Sequence, residues 1–183
     1  GISTVKTMTE RIRHMVLDIL HYARRMELNK TPVNIHQLAK DVAGVVGAKT
    51  REAGIELKVQ FDAVPPERQI SVDADQMNAA LVNILENAVD ACAEDREKPD
   101  HHIVFRGVEK KGALFVEIAD NGVGMNEETL KNIFKLFFSA KPRKGTGIGL
   151  FISQKIVEQH DGYIEVTSSP GEGSCFRVRL PIQ

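Results

Sequence analysis

Asp120-Asn121-Gly122-Val123-Gly124-Met125 follows Leu114-Phe115-Val116-Glu117-Ile118, an apolar, partly β-branched run that reads as a strand. The strand would end by presenting a carboxylate, Asp120. Gly122 and Gly124 lack a Cβ, so they permit positive φ and let a ligand approach the backbone. A carboxylate only accepts hydrogen bonds. On the floor of an apolar pocket it would select a ligand that donates, such as the exocyclic amine of a purine. Asp-Asn-Gly is also strong turn chemistry, so a plain turn fits the same residues.

Upstream, strands over 103–108 and 113–118 are joined by a hairpin at Lys110-Lys111-Gly112. Before them lies a helix over 76–94, capped by Asp73 or Asp75. At about 100° per residue, Met77, Leu81, Ile84, Leu85, Ala88 and Cys92 form its apolar arc. Asn83, Glu86, Asn87 and Asp90 form the polar arc opposite, at spacings that share a helix face. A solvated face accounts for any one of them. Yet asparagine is a poor helix former, and a pair at i and i+4 is an odd choice for solubility alone. Amide and carboxylate oxygens are the hard ligands that Mg²⁺ prefers, and Mg²⁺ bridges to phosphates.

Downstream, Asn126 caps a short helix to about Phe134. Phe137 to Lys144 is aromatic, then basic, and broken by Pro142, like a loop that closes over an anion. Gly145-Thr146-Gly147-Ile148-Gly149-Leu150 then opens a helix to about His160. Backbone N–H groups at a glycine-rich helix start form an anion site. No strand precedes these glycines and no GxxxxGK[ST] is present, so neither the dinucleotide fingerprint nor a P-loop applies. Two last strands, 163–168 and 174–180, flank a turn at Pro170-Gly171-Glu172-Gly173.

At the other end, residues 3–28 read as one long helix. Val5, Met8, Ile12, Met15, Ile19, Tyr22 and Met26 make a heptad seam, widened by Val16, Leu20 and Ala23 toward a helical bundle. His14 and His21 lie beside the seam and read as surface residues. Asn29-Lys30-Thr31-Pro32 breaks the pattern and marks a boundary. Asn34 caps a second helix over 36–53 that Gly54 ends, and 55–61 and 69–72 read as strands.

With 24 basic and 25 acidic residues in 183, the net charge of −1 argues against broad, charge-driven binding to nucleic acid or anionic membrane. No apolar run is long enough to span a bilayer. Cys92 and Cys175 lack metal-type spacing and read as reduced core thiols of a cytosolic protein.

Asn83-x-x-x-Asn87-Ala88, Asp120-x-Gly122-x-Gly124 and Gly145-x-Gly147-x-Gly149 occur in this order. They resemble the N, G1 and G2 boxes of the ATP-binding domain of sensor histidine kinases, a superfamily shared with gyrase and the Hsp90 chaperone. Phe134 to Phe138 is similar to the F box, and the closing hairpin to the family's C-terminal one. The resemblance covers about residues 33–183. It implies an α/β two-layer sandwich, a mixed β-sheet with helices on one face, as an ATP-binding domain over 31–183. Residues 1–30 resemble the second helix of the dimerisation and phosphotransfer hairpin.

The resemblance also assigns roles. Asp120 accepts the adenine amine, and Asn87 binds Mg²⁺ with Asn83 near the phosphates. Gly122, Gly124, Gly145, Thr146, Gly147 and Gly149 shape pocket and lid, and Leu150 lines the wall. Lys141 and Lys144 reach phosphate, and Glu86 polarises the attacking group. Asp90 stands where many members carry a basic residue, so no phosphate contact is expected there. The family's acceptor histidine is followed by an acidic residue and, shortly after, a proline. None of His14, His21, His36, His101, His102 and His160 has that context. The chain opens at Gly1, and the acceptor helix is expected upstream, so this chain is not expected to phosphorylate itself.

The implied function is transfer of the ATP γ-phosphate to a histidine, for relay to a response regulator receiver domain, in a homodimer formed through the leading helix. The implied location is the cytoplasm, with any membrane anchor upstream. A serine kinase of anti-sigma type or an ATP-gated clamp fits the same pocket; the heptad helix favours the histidine kinase, since the anti-sigma type needs none. A dimerising adaptor without catalysis is the third reading, against which Asn87, Asp120 and the three-glycine segment argue.

Overall fold

The computed structural model describes residues 8–10, 12, 13, 16, 27–139 and 146–182. Met8, Ile12 and Val16 are helical, as the heptad pattern predicts, while the other seam positions and His14 and His21 lie outside the described residues. Met8 and Ile12 are 63% and 60% exposed, so these two seam side chains are open to solvent.

The boundary at Asn29–Pro32 is shorter than the sequence suggests. Thr31–Asn34 forms strand β1, which later pairs antiparallel with β3. Pro32 is tolerated there because an edge strand can lack one N–H donor. Asn34 then caps helix α1, Ile35–Glu52, accepting from Gln37 N at 3.0 Å. Gly54, at φ 68°, turns the chain into β2, Ile55–Gln60. After β3, Gln69–Val72, the choice between two caps resolves to Asp73, whose Oδ1 accepts from Gln76 N at 3.1 Å. Helix α2, Ala74–Glu94, carries the apolar arc read from sequence, with Met77, Leu81, Ile84, Leu85, Ala88 and Cys92 all buried.

Strands β4, His101–Lys110, and β5, Ala113–Asp120, run longer than expected, so Asp120 is the last residue of β5 itself. Helix α3, Glu127–Asn132, is capped by Asn126 and stops short of Phe134. Helix α4, Gly149–Gln159, starts later than expected: Gly149 is helical whereas Gly147 is not, and Ile148 makes no side-chain cap. Strands β6, Tyr163–Ser169, and β7, Gly173–Pro181, close the chain.

The expected mixed α/β sandwich is present. The five-stranded sheet has the order β2-β4-β5-β7-β6, parallel only between β2 and β4. Side chains alternate across each strand. Phe105, Leu114, Val116, Ile118, Phe176, Val178 and Leu180 are buried together with the apolar faces of α1, α2 and α4. The other face carries a cross-strand row, Arg106, Glu117, Arg177 and Glu165, in direct register. Burial raises the Glu117 pKa, but hydrogen bonds and charge from Arg106 and Arg177 outweigh it and hold the group below its ordinary value. Cys92 is buried as expected, whereas Cys175 is half-buried because its position in β7 alternates onto that outer face beside Ala119. Among the described residues no helix is long and apolar enough to cross a membrane.

Candidate nucleotide site

Asp120 ends the central strand with Ile103 on one side and Ser174 on the other. It is only 8% exposed, and its Oδ1 accepts from Gly122 N at 2.9 Å. The residues that follow thread a narrow passage. A Cβ on Gly122 would lie 2.4 Å from the backbone of Ala91 in α2. A Cβ on Gly124, at φ 67°, would lie 1.9 Å from Ser169 O in β6. Val123 N donates to Ala91 O at 3.2 Å, and Met125 N to Ser168 Oγ at 2.8 Å. Both glycines are therefore required by close backbone approach, and their spacing serves the loop before it serves any ligand. Cys92 lies behind this loop. Burial, then the charge of Asp120, push its pKa up to about 12, so it stays a neutral thiol in the wall.

The polar arc of α2 divides its attention. Asn87 Nδ2 donates to Asn83 O at 2.9 Å. An amide nitrogen must face that carbonyl, which leaves Asn87 Oδ1 on the open side, accepting no hydrogen bond among the described residues. Asn83 turns the other way. Its Nδ2 donates to Ser153 Oγ of α4 at 2.9 Å, and Ser153 sits 3.0 Å from Gly149 O. A Cβ on Gly149 would come within 2.5 Å of Asn83 Oδ1, so the last glycine lets α4 start against Asn83. Glu86 and Asp90 face α1, where Lys49 Nζ lies 3.8 Å from Glu86 and 3.4 Å from Asp90. All three are half-exposed, so the attraction is weak.

Before α4, Phe137 N donates to Gly147 O at 2.8 Å, which ties together the ends of the intervening segment. Phe137 adopts φ 64°, in the left-handed region that side chains other than glycine rarely occupy. Thr146 and Leu150 are half-buried here, and Leu150 packs on the core. Lys141, Lys144 and Gly145 lie outside the described residues. The structure thus brings Asn83, Asn87, Gly149 and Leu150 onto facing helices, with Asp120, Gly122 and Gly124 at the far end of α2.

Sequence reading assigned no structural role to three residues. Ser153 is buried four residues after Gly149, a spacing that puts it on the α2 side of α4. His160 is buried at the end of α4, where Nδ1 donates to Ile156 O at 2.7 Å and Nε2 accepts from Asp73 N at 2.9 Å. Lys98, in the loop between α2 and β4, reaches the Asn121 and Gly122 carbonyls.

Comparison with known proteins follows the same outline. The family described as histidine kinase-, DNA gyrase B-, and HSP90-like ATPase matches residues 72–183. Sporulation kinase E of Bacillus subtilis is 27% identical over 184 residues, covering 99% of this chain and 24% of that protein. Sensor histidine kinase ZraS of Klebsiella oxytoca is 32% identical over 175 residues, covering 94% of this chain and 36% of that protein. The catalytic domain of histidine kinase ThkA superposes with a TM-score of 0.72 at 25% identity, over 85% of this chain and 96% of that one. The chain spans well under half the length of the two curated relatives.

Proposed function

Because the chain belongs to the histidine kinase-, DNA gyrase B- and HSP90-like ATPase family, we propose that residues 31–183 bind Mg-ATP and form the catalytic part of a sensor histidine kinase. The observation that carries this reading is the pairing of two acceptors along α2: the buried Asp120 carboxylate at its end and the outward Asn87 amide oxygen one turn earlier. Asp120 accepts the adenine amine. GTP presents a carbonyl at that position, which faces the carboxylate and leaves both groups unsatisfied, at about 1–3 kcal/mol.

Asn87 supplies one hard oxygen. That suits Mg²⁺, which keeps several waters and takes its other ligands from phosphates. Among the described residues no group of three or more His, Cys, Asp and Glu is placed to hold a metal ion. When bound, the ion neutralises phosphate charge, while Asn83 and Ser153 keep α4 in register with α2. Lys141 and Lys144 contact phosphate, and Gly145, Thr146 and Gly147 shape the lid over it. Glu86, loosely paired with Lys49, polarises the attacking histidine. Phosphoryl transfer is mostly positioning and charge stabilisation, which these residues provide.

In the whole protein, residues 1–30 would pair as a homodimer through the leading helix, present the acceptor histidine of an upstream helix, and relay the phosphoryl group to a response regulator on the cytoplasmic side. The names of the relatives favour this over a serine kinase, a clamp or an adaptor. Calorimetric titration with ATP and GTP, with and without Mg²⁺, tests it. ATP should bind at least tenfold better than GTP, a ratio equivalent to about 1.4 kcal/mol. Asp120→Asn should erase the preference, and Asn87→Ala should weaken binding only when Mg²⁺ is present. Equal loss with and without Mg²⁺ in Asn87→Ala would remove Asn87 from the metal site.

A further inference from the structure

The loop between α2 and β4 is built around one ammonium group. Lys98 Nζ lies 2.6 Å from Asn121 O, 3.2 Å from Gly122 O and 3.1 Å from Asp95 Oδ2. An ammonium has three donors, and all three are engaged. The loop itself is braced. Asp95 Oδ1 accepts from Glu97 N at 2.9 Å, and His101 Nε2 donates to Asp95 O at 3.1 Å. Asn121 ties the loop to the sheet, with Nδ2 donating to Asp100 O at 3.0 Å and Oδ1 accepting from His102 N at 2.9 Å.

The peptide between Asn121 and Gly122 links Lys98 to the candidate site. Its carbonyl accepts from Lys98, and its N–H donates to Asp120 Oδ1 at 2.9 Å. In a trans peptide the C=O and N–H point in opposite directions, so one rigid plane joins the ammonium to the carboxylate. Fixing the carbonyl fixes the N–H, and a charged donor on the carbonyl polarises the N–H toward its acceptor.

We propose that Lys98 is a positioning residue for adenine recognition, orienting the Asp120 carboxylate through the Asn121–Gly122 peptide without touching nucleotide. This rests on the reading of Asp120 as the adenine partner. Lys98 therefore sets the preference for a purine carrying an amine, rather than overall affinity.

The test compares ATP with inosine triphosphate, which has a carbonyl in place of the amine, by calorimetry on wild type, Lys98→Met and Lys98→Arg. Lys98→Met keeps the apolar stem and removes the charge. Its ATP affinity should fall about tenfold, the size of one charge-assisted hydrogen bond, with inosine triphosphate affinity unchanged. Lys98→Arg should retain most of the preference. Equal losses for both nucleotides, or no loss for either, would overturn the proposal. Should Lys98→Met fail to fold, Asp95→Asn weakens one anchor of the ammonium and should lower the same ratio by a smaller factor; an unchanged ratio would overturn it. A wild-type protein without a preference for ATP contradicts the reading of Asp120 itself, whereas a preference that survives Lys98→Met contradicts only the role of Lys98.

Discussion

A Cβ is the smallest addition a side chain can make, and this chain answers it in opposite ways at two glycines. Gly44 lies on the exposed side of α1 with nothing within 4 Å of an added Cβ. Gly44→Ala removes backbone freedom from a helix interior and should stabilise the protein by about 0.5–1 kcal/mol. At Gly122 the same atom meets the backbone of Ala91 and Cys92 at 2.4–2.6 Å, which no rotamer change relieves. Gly122→Ala should destabilise by about 1–3 kcal/mol or more. Urea unfolding of both variants checks the pair, and a like sign for the two would contradict the threaded path of the loop. Sequence shows that glycine stands at 122 and 124, but not which backbone crowds it, because Ala91 and Ser169 are distant in the chain. For the same reason Asp120, Asn87 and Asn83 were legible as a motif, while Ser153 and Lys98 were not. A serine inside a helix and a lysine inside a polar loop carry no local signal.

At the scale of elements, α2 and α4 meet at a corner made by Asp73 and His160. The leading segment joins it, since Asn29 N donates to Asp73 Oδ2 at 3.2 Å and Lys30 Nζ lies 3.0 Å from Asp161 Oδ2. Burial lowers the His160 pKa below the ordinary 6.5, partly opposed by the hydrogen bond to Ile156 O; Lys30 lowers it further, and Asp73 and Asp161 raise it. Neutral His160 accepts from Asp73 N, whereas a protonated ring would set N–H against N–H. The unfolded chain takes up this proton first, so the contribution of His160 is complete above pH 6.5 and is lost as pH falls from there through the lower folded pKa. Asp73 acts in a separate window. Burial raises its pKa, but hydrogen bonds from Gln76 and Asn29 leave it below 3.8, so its contribution is lost only in stronger acid. Denaturant titrations at pH 7.5 and 5.5 should show wild type losing stability and His160→Gln losing less. Helix existence and the Asn34, Asp73 and Asn126 caps followed from local chemistry. The late start of α4 did not, because it depends on Asn83 and Ser153 meeting across helices.

For the molecule as a whole, the sheet's outer face and the leading helix differ in character. The row from Arg106 to Glu165 keeps one face charged, while Met8 and Ile12 leave an apolar stripe open. If the stripe is the homodimer contact proposed above, the chain should sediment as a concentration-dependent dimer, and Ile12→Lys should shift it to monomer without changing ATP affinity. The sandwich was readable because periodicity and turn residues are local, whereas pairing order and the short strand β1, which exists only through its pairing with β3, had to come from three dimensions. The passage at residues 121–125 has a further consequence, in the time domain. Its walls come from Ala91 on one side and from Ser168, Ser169 and Gly171 on the other. Those walls are far apart in sequence, so loop-closure entropy must be met before the passage closes, and we expect it to be completed late in folding. A pocket completed after the rate-limiting barrier cannot lower that barrier by binding. ATP should therefore leave the refolding rate unchanged and slow unfolding alone, so that bound nucleotide acts as a brake on escape from the native state; stopped-flow measurements in both directions read the two rates separately.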